Sequence, residues 1–142
     1  MNKLIICPKK RGNTYKVCRY VSENTNFAIK ILGKDDDMDL SRHDIVILSS
    51  GIYGGHIHRK MLEYAGNIKN GSSTKFYLLL TWLGGGESDR SAFNEMAAAL
   101  EKNGIILDKN YMKCLGKNFL FIKRSHPDKK DFENVLEWVK KL

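Results

Sequence analysis

Apolar positions in this chain fall into short runs separated by polar, glycine-bearing segments. Leu4-Ile5-Ile6-Cys7, Ile45-Val46-Ile47-Leu48 and Phe76 to Leu80 are each continuous and bounded by charge, proline or polar residues. Such runs predict strands buried on both faces. Phe27 to Leu32 predicts a weaker strand. Between the runs the apolar spacing lengthens to a helical period. Val17 and Val21, with Tyr20 beside them, mark a first helix opening at Asn13. Ile57, Met61, Leu62, Ala65 and Ile68 mark a second, with Gly71 just past its end. Ala92, Phe93, Met96, Ala97 and Leu100 mark a third that begins near Glu87-Ser88-Asp89 and stops at Asn103-Gly104. In the last third, Ile105 to Leu107, Tyr111 to Leu115 and Phe119 to Ile122 compete for the fifth strand, and Tyr111 to Leu115 is preferred. Phe132, Val135, Leu136, Val139 and Leu142 form the stripe of a closing helix with Pro127 in its first turn.

Strands alternating with helices at this spacing predict an α/β fold, a parallel sheet with right-handed crossovers and helices on both faces. Five strands with a glycine loop directly after the first point to the order 2-1-3-4-5. The 142 residues match a single domain spanning 1–142, with a core that needs neither disulfide nor metal. No internal repeat or linker is visible.

Three segments at the ends of apolar runs carry the candidate chemistry. The first is Cys7-Pro8-Lys9-Lys10-Arg11-Gly12-Asn13-Thr14, where a glycine opens a helix. Backbone N–H groups and the helix dipole then make a phosphate seat, with Asn13 and Thr14 as side-chain donors and Lys9, Lys10 and Arg11 as nearby cations. The second is Ser49-Ser50-Gly51-Ile52-Tyr53-Gly54-Gly55-His56, whose glycines let the backbone approach a flat ring beside Tyr53. The third is Thr81-Trp82-Leu83-Gly84-Gly85-Gly86, which places an indole next to three glycines. In a parallel sheet, ligands bind outside the carboxyl ends of the strands, so these segments are expected to converge on one phosphorylated planar ligand.

Arg11-Gly12-Asn13-Thr14 is similar to the phosphate loop after the first strand of the flavodoxin family. Ser50-Gly51-Ile52-Tyr53-Gly54-Gly55-His56-Ile57-His58 resembles the second flavin loop of short-chain flavodoxins and of the menaquinone-dependent protoporphyrinogen oxidase group. The resemblance runs from Lys3 to the closing helix. It implies a flavodoxin-like three-layer sandwich, non-covalent FMN between the second and third loops, and electron transfer between redox partners with no catalytic acid required. It also admits an FMN-dependent oxidoreductase acting on a quinone or similar acceptor, or a binding protein that has lost flavin. The implied cofactor contacts are Lys9, Lys10, Arg11, Gly12, Asn13, Thr14, Ser50, Gly51, Ile52, Tyr53, Gly54, Thr81, Trp82, Leu83, Gly84, Gly85 and Gly86. The chain departs from the family where Pro8-Lys9-Lys10-Arg11 replaces the usual hydroxyl-rich stretch, so backbone amides, Asn13 and Thr14 must do more of the holding.

Charge separates the chain further from that family, whose electron carriers are typically acidic. Here 24 Lys and Arg stand against 16 Asp and Glu, a formal +8. Partner proteins with acidic docking surfaces are therefore expected, and nucleic acid is not the favoured partner. Cys7, Cys18 and Cys114 form no C-x-x-C pair, which argues against a disulfide framework or zinc site. With no long apolar stretch, the expectation is a cytoplasmic protein without membrane attachment.

Other chemistries that use this strand order are disfavoured by particular residues. Phosphatases and arsenate reductases with a nucleophilic Cys after the first strand need an Arg six residues on, where Asn13 stands. Receiver domains need an Asp after the third strand, where Ser49-Ser50 stand. The run Asp35-Asp36-Asp37-Met38-Asp39 lacks the spaced ligands of a calcium loop. His56 and His58 are expected to point apart and so not to form a metal pair.

Overall fold

The structure, a computed structural model, describes residues 1–34, 36–69, 73–82, 84, 86–115 and 127–142. In chain order its elements are β1 (Lys3–Cys7), α1 (Gly12–Asn24), β2 (Phe27–Ile31), β3 (Ile45–Tyr53), β4 (His56–Ile57), α2 (Arg59–Ala65), β5 (Lys75–Trp82), α3 (Ser88–Glu101), β6 (Met112–Leu115) and α4 (Lys129–Lys140). Five strands pair in parallel in the order β2-β1-β3-β5-β6, and the two-residue β4 folds back antiparallel on the end of β3. With β4 set aside, this is the predicted 2-1-3-4-5 order.

The pleat explains the continuous apolar runs. Successive side chains of a strand point to opposite faces, and both faces here are covered. Leu4, Ile6, Val46, Leu48, Leu78 and Leu80 pack under Met61, Tyr64 and Ala65 of α2 and Ala92, Met96 and Leu100 of α3. Ile5, Cys7, Ile47, Tyr77 and Leu79 pack under Val17, Cys18 and Val21 of α1 and Val135 and Val139 of α4. The register Leu4↔Val46 and Val46↔Phe76 brings equivalent faces into line across the centre of the sheet. The result is a three-layer α/β sandwich with two cores separated by the sheet.

Several predicted boundaries move. β3 does not stop at Leu48 but continues to Tyr53, because two buried serines find partners within the fold. The Ser49 hydroxyl donates to the Ile6 carbonyl at 2.5 Å and accepts from the Cys18 thiol at 3.0 Å. The Ser50 hydroxyl donates to the Gly51 carbonyl at 2.6 Å and accepts from the His58 amide at 2.8 Å. β5 likewise takes in Thr81 and Trp82. α2 is shorter than its stripe: Ile57 lies in β4 and Ile68 beyond the helix, although both are buried. The fifth strand of the parallel sheet falls at Met112–Leu115, within the preferred segment, while Leu107 makes only an isolated bridge to Phe76. Pro127 precedes the closing helix instead of opening it. Asp128 is the N-cap and exchanges hydrogen bonds with Asp131 in a capping box. Phe119 to Ile122, Asp35, Gly71, Leu83 and Gly85 lie outside the described residues.

Candidate functional site

The carboxyl ends of β1, β3 and β5 are adjacent because β3 lies between the other two. That adjacency brings the three predicted segments to one edge. The first and third are joined directly: Thr14 Oγ1 and Thr81 Oγ1 are 2.7 Å apart, both side chains buried. The second reaches the helix that follows the third, since a Cβ on Gly55 would lie 3.7 Å from Ser91 Oγ. Glu95 of α3 strengthens this link by taking the Ile57 amide at 2.8 Å on one oxygen and His56 Nδ1 at 2.9 Å on the other. Burial pushes the Glu95 carboxyl up, but the bonds from His56 and Ile57 outweigh it and hold the group below its ordinary value.

The first segment leads from β1 into α1. α1 begins at Gly12, and its N-cap Arg11 is extended with no side-chain cap bond. No acidic residue stands in the first turn of α1. Gly12 has φ +86°, a conformation that L side chains rarely adopt. A Cβ there would lie 4.0 Å from Lys9 Cε, so the Lys9 stem runs over the start of the helix. Lys10 and Arg11 are exposed beside it. Thr14 contributes differently from the expectation, because its hydroxyl is shared with Thr81 and it ties two segments together.

The second segment supplies an aromatic edge. Gly54 and Gly55, with φ +59° and +84°, make the two central residues of a tight turn between β3 and β4. Two successive positive φ values define a type I′ hairpin turn. Tyr53, half exposed at 49%, folds back over Gly51, where an added Cβ would sit 3.0 Å from its hydroxyl. A side chain at Gly51 would have to push the Tyr53 ring aside by a few tenths of an ångström. Tyr53 also meets His58 edge-on, with ring centroids 5.6 Å apart. Burial raises the Tyr53 phenol, and the nearby Cys7 thiol adds to the shift. Ser50 is buried with its hydroxyl engaged on both sides, so it shapes the loop from within.

The two histidines make separate contacts, His56 with Glu95 and His58 with the start of α2. His58 caps α2, its Nδ1 accepting the Lys60 amide at 3.1 Å. Burial, with Lys9 and Lys60 nearby, lowers its affinity for a proton. Among the described residues no group of three or more His, Cys, Asp or Glu could hold a metal ion.

The third segment is described at Thr81, Trp82, Gly84 and Gly86, and Trp82 is partly buried at the end of β5. Lys113 lies against it, and Asp89 and Tyr111 bond to one another beside that lysine, a cluster to which sequence patterning assigned no functional role. Lys113 Nζ stands 4.6 Å from the Trp82 ring centroid. A lone acid in the first turn of α3 and a cation in a short strand carry no signal of their pairing, so only the fold reveals it.

Under β1 and α1, Cys7 and Cys18 are buried around Ser49. The Cys7 thiol is lowered, first by the neighbouring Cys18 side chain and against the effect of burial, while burial drives Cys18 well above its usual range. Burial also pushes Cys114 up to about 12. All three thiols are free.

Comparison with solved structures gives a flavodoxin-like fold over the full chain. A short-chain flavodoxin associated with a non-canonical PDU bacterial microcompartment is 15% identical and covers 100% of this chain and 96% of its own, with a TM-score of 0.73. The flavodoxin of Streptococcus pneumoniae TIGR4 is 13% identical, with 100% and 97% coverage and a TM-score of 0.71. An NADPH-quinone reductase from P. pentosaceus is 12% identical, with 99% and 97% coverage and a TM-score of 0.66. No family model matches the sequence. No curated protein matches it either. The chain thus has the class of fold that flavodoxins and that quinone reductase share.

Proposed function

We propose that this protein binds FMN non-covalently at the carboxyl edge of the sheet and carries electrons between redox partners. One observation carries the proposal: a cation-flanked helix start opening at a glycine is bonded through Thr14 and Thr81 to the strand end that bears Trp82. The residues fit the group. The amides at the start of α1, with Lys9 and Arg11, suit its phosphate. Tyr53 and Trp82 suit its ring, and the open space at Gly54, where a Cβ would meet nothing within 4 Å, leaves room for it. Bound FMN would supply one- or two-electron chemistry. The protein's own residues would bind the phosphate, hold the ring between aromatic side chains, and set the charge around it.

The neighbours named flavodoxin support this reading. A second reading, an FMN-dependent oxidoreductase acting on a quinone or similar acceptor, is favoured by the neighbour named NADPH-quinone reductase. The formal charge of +8 supports partners that present acidic surfaces. Among the described residues no helix is long and apolar enough to cross a membrane. Three free thiols suit a reducing compartment such as the cytoplasm.

An absorbance spectrum of the purified protein, before and after FMN is added, tests the cofactor. A flavin spectrum perturbed by the protein is expected, and a spectrum identical to free FMN at every protein concentration would sink the proposal. Saturable turnover with small quinones would favour the enzyme; fast exchange with a reductase protein and slow quinone turnover would favour the carrier. Because reduced flavin tends to be anionic, the basic chain should give a less negative final reduction potential than acidic flavodoxins. Redox titration at low salt checks this, and a potential as low as theirs would contradict it.

A further inference from the structure

Trp82 is held from behind by a charged network. Asp89, only 6% exposed at the start of α3, accepts two hydrogen bonds on one oxygen. Tyr111 Oη donates to Asp89 Oδ2 at 2.7 Å, and Lys113 Nζ donates to the same atom at 3.1 Å. The Tyr111 ring stacks on Phe93 of α3, with centroids 4.9 Å apart, which fixes its hydroxyl. The Lys113 ammonium, thus anchored, lies over the Trp82 ring. Burial pushes the Asp89 carboxyl up, yet the bonds from Tyr111 and Lys113 hold it below its ordinary value, so Asp89 is a carboxylate at neutral pH.

Two physical points give this arrangement a role. Asp89 is buried while Lys113 is 45% exposed, so solvent screens the attraction on one side and desolvation of the carboxylate offsets it on the other, and the worth of the pair here is geometric. Lysine is a flexible, strongly hydrated cation, and holding it over a ring needs an anchor of the kind Asp89 provides. With an ammonium over one face of the indole, the opposite face is the one left for stacking.

We propose that Asp89 and Lys113 act as a positioning pair that fixes Trp82 and sets the charge on one side of its ring, and with it the reduction potential of the flavin. The second half rests on the FMN reading above. Oxidised FMN has a neutral ring, and adding two electrons and one proton leaves that ring with one negative charge. A cation behind Trp82 therefore favours the reduced form, and the Asp89 carboxylate opposes it.

The two charges predict opposite effects, which a merely structural role would not. Lys113→Gln should weaken the preference for reduced over oxidised FMN by about tenfold, a shift of about 30 mV to more negative potential for a two-electron couple. Asp89→Asn keeps an amide oxygen that can accept from Tyr111 and Lys113 while removing the charge, so the anchor stays and the potential should shift the other way, and Lys113→Arg should leave it near wild type. Affinity for oxidised FMN should change much less in all three. Shifts of Lys113→Gln and Asp89→Asn in the same direction, or a Lys113→Arg protein that behaves like Lys113→Gln, would overturn the proposal. If the wild-type protein takes up no FMN, it is the cofactor reading that has failed, and the hold on Trp82 is decided in the flavin-free protein. In a Trp138→Phe background, Trp82 emission should move in opposite directions on Lys113→Gln and Asp89→Asn. Emission unmoved by either substitution would overturn the pair's hold on Trp82.

Discussion

Replacing Thr14 with Val removes one of the two hydroxyls that join the first site segment to the third. The partners lie 2.7 Å apart, and Thr14 and Thr81 are 7% and 5% exposed, so water cannot readily take the missing place. The net worth of such a bond is about 1 kcal/mol, and a stranded buried hydroxyl raises the loss to about 1–3 kcal/mol. For a chain of this size a loss of about 2 kcal/mol lowers the melting temperature by about 4–8 °C. Thr81→Val should cost a similar amount for the same reason. The double variant Thr14→Val with Thr81→Val leaves no orphan, so its loss should be smaller than the sum of the singles, with a coupling of about 1 kcal/mol. Urea unfolding of the four proteins measures the cycle, provided the denaturant slope stays constant. Additive losses would refute the bond as a link between the two segments.

Further outcomes follow from other contacts. Gly54 has φ +59° and open space around it, so Gly54→Ala should cost about 1 kcal/mol through backbone strain alone, while Gly54→Asn, which tolerates that conformation, should cost less; thermal unfolding compares them. Glu95 is held below its ordinary 4.5 in the folded state. Its contribution to stability is therefore complete above that value and is lost as pH falls through the lower folded pKa. The stability gap between wild type and Glu95→Gln should shrink on acidification below pH 4.5, and a gap constant with pH would contradict the fork to His56 and Ile57.

Much of the fold was legible because its signals are local. Leu4 to Cys7, Ile45 to Leu48 and Phe76 to Leu80 read as strands since both faces of the sheet are covered and every position is apolar. Gly12 at the start of α1 read as a helix opening because its pattern spans only a few residues. The errors were also physical. Ser49 and Ser50 looked like the end of a strand, yet β3 runs through them because Ile6, Cys18 and His58 supply their hydrogen bonds. Ile57 and Ile68 kept helical spacing with the stripe of α2 and are buried, but one belongs to a hairpin and the other to the turn after the helix. Pro127 matched a helix start, whereas the Asp128 capping box sets it two residues later.

The sequence by itself determined the alternation of strands and helices, the parallel order that follows from it, and the placing of three glycine-bearing segments at strand ends. These depend on hydrophobic period and backbone freedom, which neighbouring residues carry. Only the tertiary structure decided that Thr14 meets Thr81, that Glu95 grips the hairpin, and that Asp89 holds Lys113 against Trp82. Those partners are 67, 38 to 39 and 24 residues apart. A hydrogen bond or ion pair between them depends on distances of a few ångströms that periodicity does not encode, and that exist only once both faces of the sheet have been packed.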